Sequence, residues 1–300
     1  MEKNKNGVWV FLALTFVLTW IYMFTAVRPA AEGDVMTYQL LTMGCMFFPA
    51  ACMLLTRLLT REGFGDLMVR PRFKGNGRTY LLAYFGPFLL AILGAALYFL
   101  VYPDKLDWSS PVLRRSMEEA GVVYEAQSMP IGTLLAIQVL QALLLPGLVN
   151  LIPSLGEEWG WRGYMMPRLL EKLKPLPALL LGGVIWGLWH APIVALGHNY
   201  GTGYPGWPWA GIAMMCLFCT AAGVLLTWVT EKTGSCIPAA VAHGAINGTG
   251  ALGTLVSADG GNPFVGPAPI GIIGGLPMII AAIFAAVWIV RQRRKKEETK

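Results

Sequence analysis

Long apolar runs alternate with short polar and charged stretches along the whole chain, and eight of these runs are long enough to matter. The windows 8–27, 36–56, 80–102, 131–153, 177–197, 207–229, 237–257 and 269–290 each approach the roughly 20 apolar residues that a helix needs to cross the hydrocarbon core. The pattern predicts an all-α, polytopic integral membrane protein with about eight transmembrane helices. Proline and glycine fall inside several windows, among them Pro49, Pro87, Pro146 and Gly147. Lipid tolerates them where neighbouring helices or a polar cavity satisfy the freed backbone groups. The first window is too long, and too poor in a small-residue cleavage site, to read as a signal peptide. No period of 20–50 residues recurs, which counts against a repeat-built transporter.

Composition removes the main competitors. Hydrophobic residues make up 55% and charged residues 13%, with a mean hydropathy of +0.55, against roughly 25% charged in a soluble domain. A cytosolic enzyme, a secreted disulfide scaffold and a disordered tail are excluded. With the N-terminus in the cytoplasm, 19 of the 23 Lys and Arg fall on inner segments, leaving Arg28, Lys105, Arg114 and Arg115 outside. The positive-inside rule favours this arrangement, so both termini are predicted to be cytoplasmic. The net charge of +6 gathers largely in the tail Arg291–Lys296, which reads as an anchor to anionic headgroups rather than a nucleic-acid site. The chain's brevity and short tails suggest a bacterial cytoplasmic membrane.

Three regions follow. Residues 1–130 hold about three spans, a basic inner loop 57–79 and an outer loop 103–130. Residues 131–257 form the membrane core, and 258–300 the last span and basic tail. The Gly/Pro-rich segment 259–271, like loop 103–130, reads as a connector. Five cysteines are present. Cys216 and Cys219 form a C-x-x-C, but inside an apolar run with no basic neighbour they read as packing residues.

Ionisable groups at membrane depth are expensive and mark function by default. His190 and His243 lie within windows, whereas His198 falls in an outer loop where a solvated histidine needs no explanation. A third cluster, Glu157-Glu158-Trp159-Gly160-Trp161-Arg162, sits at the predicted inner boundary. On a helix Glu158 and Arg162 share a face and can pair, which leaves Glu157 about 100° away. Alone, the cluster also reads as an interfacial ion pair with a tryptophan belt. Trp186 and His190 are four apart, as are His243 and Asn247.

Taken together, a carboxylate, two histidines and an amide on three segments suit hydrolysis. Glu157 could take a proton from water, assisted by His190, while His243 and Asn247 donate to an oxyanion. Alternatively, Glu157, His190 and His243 could hold Zn²⁺ with a water in the open position. The metal-free arrangement is slightly favoured, because four groups already fill its roles. The sequence has no H-E-x-x-H and no G-x-S-x-G.

The ordered set Glu157-Glu158-x-x-x-Arg162, His190 after an aromatic, and His243-x-x-x-Asn247 resembles the CPBP intramembrane proteases. That group holds the type II CAAX prenyl endopeptidases and the bacteriocin-processing and immunity (Abi) proteins. The resemblance covers about residues 130–257. It implies Glu157 as the catalytic carboxylate supported by Glu158 and Arg162, His190 as the group that positions water, and His243 and Asn247 around the oxyanion or as metal ligands. It also implies an all-α core whose site opens toward the cytoplasm, acting on a peptide or protein that arrives from the membrane or cytoplasm. Trp186 stands where the family usually has Phe.

Two other classes compete: a non-catalytic regulatory or bacteriocin self-immunity protein, and a transporter using His190 and His243 as proton carriers. One tension is geometric. His190 should lie about 20 Å along its helix from Pro177, deeper than Glu157 and His243 nearer the inner face, so the helix must start later or tilt, or the Glu157 segment must dip into the membrane.

Overall fold

The computed structural model describes residues 6–119, 121–122 and 129–298. Part of the outer loop 103–130 therefore lies outside the described residues. Five helices are long and apolar enough to cross a membrane: α1 (Gly7–Ala31), α2 (Val35–Thr60), α3 (Gly77–Val101), α7 (Trp209–Thr233) and α9 (Ile272–Glu298). Between them stand α4 (Ile131–Leu144), α5 (151–172), α6 (Pro175–Trp189) and α8 (Ile237–Thr249). Among the described residues no named strand occurs, and isolated bridges at Leu106–Ser257 and Asn262–Gly266 tie loops together. The long helices turn Leu81, Leu89, Leu93, Leu100, Ile283 and Phe284 outward, the surface a bilayer requires. The chain is an integral membrane protein.

The eight predicted windows each contain a helix, but four of them are interrupted, 36–56 only by a turn at Met46 and Phe47, and two of the other three carry the suspected chemistry. The window 131–153 is not one span. Its helix stops at Leu144, Pro146 opens a single turn Pro146–Val149, and α5 starts at Leu151. Pro146 has no N–H to continue the ladder. The charged stretch expected at the inner boundary is instead a buried helix: Glu157, Glu158, Arg162 and Arg168 are all buried. Within α5 the turn Trp161–Met165 is a π-bulge, a feature frequent at functional sites. Windows 177–197 and 237–257 break likewise, at His190 and near Gly250.

This arrangement resolves the depth problem. α5 and α6 form a hairpin about the turn at Leu173 and Lys174. Glu157 lies 15 residues before Lys172, and His190 lies 15 after Pro175. At 1.5 Å per residue both stand about 22 Å from the turn. The Glu157 segment does run into the interior, and its companion helix starts two residues earlier than predicted.

Glycine pairs four apart allow these helices to approach closely, the small-residue packing expected where apolar helices share an apolar solvent. A Cβ at Gly183 or Gly187 of α6 would lie 2.4 Å from the Cα of Thr220 or Cys216 on α7. On α5, Gly160 sits against the backbone of Pro49 in α2, and on α8 Gly244 sits under the Pro146 carbonyl. Gly187→Ala is expected to force α6 from α7 at a cost of about 1–3 kcal/mol. Thermal unfolding in detergent reads this directly, and Gly86→Ala, where a Cβ meets nothing within 4 Å, should be silent.

The connectors are pinned rather than loose. Lys105 pairs with Asp259 at 2.8 Å, and Ala258 N–H donates to the Lys105 carbonyl at 2.9 Å. Tyr200 reaches the carbonyl of Ile270 at 3.3 Å, and Pro269 and Ile270 of segment 259–271 line a cavity. In the basic tail, Arg293 pairs with Glu231 at 2.8 Å and donates to the Leu170 carbonyl at 3.2 Å. That carbonyl is one of the four left unpaired at the end of α5.

Candidate active site

The C-terminal end of α6 places the first histidine. His190 Nδ1 lies 2.8 Å from the carbonyl oxygen of Trp186, one of the last carbonyls of a helix that cannot continue through Pro192. A carbonyl only accepts, so Nδ1 carries the proton and Nε2 presents its lone pair.

Trp186 also holds the carboxylate. Its indole N–H donates to Glu157 Oε2 at 2.8 Å, and Trp161 donates to the same oxygen at 3.3 Å. Glu157 Oε1 has no hydrogen-bond partner among the described residues. The Trp186 ring stands between the two histidines, with centroids 5.8 Å from His190 and 5.3 Å from His243. The Arg162 guanidinium carbon lies 4.2 Å from its face.

Beside this lies a buried triad. Glu158 Oε1 accepts from Arg162 Nη1 and from His243 Nδ1, each at 2.9 Å. Glu158 Oε2 and Arg162 Nε are buried without partners, so burial of these charges is incompletely compensated. The triad fixes the His243 ring and aims Nε2 away from α5. Asn247, one turn along α8 and exposed, has no hydrogen-bond partner among the described residues.

Glu157, His190, His243 and Asn247 all line one cavity of about 510 Å³. The supporting residues expected from the sequence, Glu158, Arg162 and Trp186, stand directly behind or beside them. Among the described residues no group of three His, Cys, Asp or Glu side chains is gathered to hold a metal ion; the suggested set Glu157, His190 and His243 is not drawn together in that way. Cys219 is fully buried with Sγ 3.9 Å from His190 Nδ1, and all five cysteines are free.

The same cavity corrects one expectation and adds several residues. His198 is not a solvated loop histidine but a half-buried part of the cavity wall, and burial pulls its pKa below the usual histidine range. Asn150 lines the wall and donates to the Gly244 carbonyl at 3.2 Å. An amide inside an apolar window was a readable signal. Tyr38, Gln39 and Thr42 come from α2.

Trp186→Phe would keep the ring but remove the shorter of the two bonds to Glu157. With the carboxylate less firmly oriented, kcat for any reaction run by Glu157 is expected to fall about tenfold or more. KM should change little, and steady-state kinetics separates the two.

Residues 138–249 match the family described as type II CAAX prenyl endopeptidase Rce1-like. CAAX prenyl protease 2 of Methanococcus maripaludis is 31% identical over 99 residues, 32% of this chain and 36% of the relative. The similarity thus spans about a third of that relative's length. Every site residue expected from the sequence falls within the matched stretch, and the site-bearing part of this membrane protein is similar to the type II CAAX prenyl endopeptidases.

Proposed function

We propose that this chain is an intramembrane endopeptidase that hydrolyses a peptide bond with water activated by Glu157 and His190. The observation that carries the reading is convergence: four polar groups from three helices line one cavity inside an apolar bundle. Glu157, held at Oε2 by two indoles, offers Oε1 to a water. As the carboxylate takes the proton, the water oxygen attacks the carbonyl carbon of the scissile bond, and His190 Nε2 accepts the second water proton as a hydrogen bond. Negative charge moves to the carbonyl oxygen. His243 and Asn247 donate to it, an arrangement worth most where water is excluded.

The role of His243 has a condition. Its Nδ1–H is committed to Glu158, so donation from Nε2 requires the imidazolium. In that role the imidazolium stands beside the carboxylates of Glu157 and Glu158, with the Arg162 guanidinium on the same Glu158 oxygen. Collapse of the tetrahedral intermediate breaks the C–N bond, and the proton held by Glu157 passes to the leaving amine. The products are a new carboxylic acid and a new amine, and the proton left on the acid passes to the amine to give carboxylate and ammonium. The substrate is a peptide or protein segment, of CAAX type or a processed bacteriocin-like peptide.

The test uses purified protein reconstituted in lipid with a library of peptides, prenylated and unmodified. His190→Ala and Asn247→Ala are expected to lower kcat by about 100-fold or more and leave insertion intact. Added chelator should leave the wild-type rate unchanged. Loss of activity on chelation, restored by Zn²⁺, would replace the metal-free mechanism with a zinc one on the same residues. Full activity in both variants would remove the assignment.

A further inference from the structure

The cavity has a wall that the similarity to known proteases does not reach. The matched stretch is residues 138–249, yet Tyr38, Gln39 and Thr42 of α2 face the same space as Glu157 and His243. Their spacing puts all three on one side of a helix. α2 is a helix of membrane-crossing length, set in place by Asp34, which caps its start by accepting from Thr37 N–H at 2.7 Å. Polar side chains on such a helix face the protein interior or a cavity because lipid offers them no partner. Gln39 is exposed to that space and makes no hydrogen bond among the described residues, so its amide's hydrogen bonds are left for the cavity to supply, while Thr42 Oγ1 lies buried beside the Tyr38 hydroxyl.

The remaining lining states what could supply those bonds. Asn150, Asn199 and Asn247 add neutral amides, while Met43, Met46 and Met215 add thioethers. Among the described residues, no Lys or Arg lines the cavity. An amide side chain offers a donor and an acceptor together, the complement of a peptide unit. Methionines adapt to apolar side chains of varied shape.

We propose that Gln39 and Thr42 hydrogen-bond the main chain of a neutral, apolar substrate segment, and that α2 thereby sets which segments this chain accepts. The proposal rests on the endopeptidase reading of the cavity and adds a specificity surface contributed from outside the matched stretch.

Two readouts test it. In the first, wild type, Gln39→Leu, Thr42→Val and the double variant are compared on the peptide library. The double variant is expected to raise KM about tenfold, the sum of two neutral hydrogen bonds, with kcat little changed and the ranking of peptides altered. Leu40→Ala, on the neighbouring exposed face, should behave as wild type. Unchanged KM and ranking in the double variant would overturn the proposal.

The second readout needs no cleavage. A benzophenone amino acid is placed at position 39 or 40 of the Glu157→Gln protein, and biotinylated short apolar peptides are added and irradiated. Capture at 39 but not at 40 supports the wall. Equal capture, or none at 39, overturns it. Capture at 39 in a protein whose wild type cleaves nothing would retain the binding wall and reject the endopeptidase reading, so the two failures are distinguishable.

Discussion

Glu157→Gln is expected to lower the rate of peptide hydrolysis by about a thousandfold or more, because in the proposed mechanism it removes the group that takes a proton from water. The substitution keeps size and shape. It also keeps an oxygen able to accept from Trp186 and Trp161, so the two indole bonds at 2.8 and 3.3 Å can persist and the fold should survive. The measurement is single-turnover cleavage at saturating peptide, with unfolding temperature as the control. Retained stability with lost cleavage separates chemistry from structure. The same variant discriminates between functional classes, since a phenotype produced by binding or self-immunity would survive it. Transport by proton-carrying histidines would instead show as substrate uptake into proteoliposomes.

Arg162→Met has the largest expected effect on stability. Arg162 and His243 converge on Glu158 Oε1, all three buried. Removing the guanidinium leaves a buried carboxylate without its main counter-charge, at a cost of about 3–5 kcal/mol. It also removes the cation from the face of Trp186. The pair Glu158→Gln and Arg162→Met together should recover most of that loss, because no uncompensated charge remains. Activity should not return with it, as His243 would lack the carboxylate that fixes its ring. Denaturant unfolding in detergent and peptide cleavage, run on the single and double variants, measure the two consequences separately. The unpaired Glu158 Oε2 and Arg162 Nε already argue that this triad serves the site more than the fold.

How much of this could be read from the chain follows from the cost of polar groups in lipid. Glu157, His190, His243 and Asn247 stood out because an apolar sequence has few reasons to carry them at depth, and the cavity gathers all four. The length of α5 was hidden for the same reason. Four buried charges made 151–172 look like a boundary, while the apolar run across Leu145 and Pro146 merged two pieces into one apparent span. Hydropathy averages over a window and does not register a missing N–H. His198 was misplaced because a loop after a helix was equated with solvent, whereas this loop folds back over the site. The polar positions of α2 that line the cavity are uncharged, so they raised no alarm in a window of high mean hydropathy. The hydrogen bond from Trp186 to Glu157 required knowing that α5 and α6 form a hairpin, because a sequence separation of 29 carries no local signal of register. The number of spans rests on the apolar windows, and the orientation of the termini on the charge distribution alone.

The most direct measurement is cleavage in heavy-oxygen water, with wild type and Glu157→Gln side by side and products read by mass spectrometry. The expected result is a single heavy oxygen in the new carboxylate after one wild-type turnover, and no product from the variant. Equal cleavage by the two proteins, or no heavy oxygen in the product, would contradict hydrolysis by water activated at Glu157.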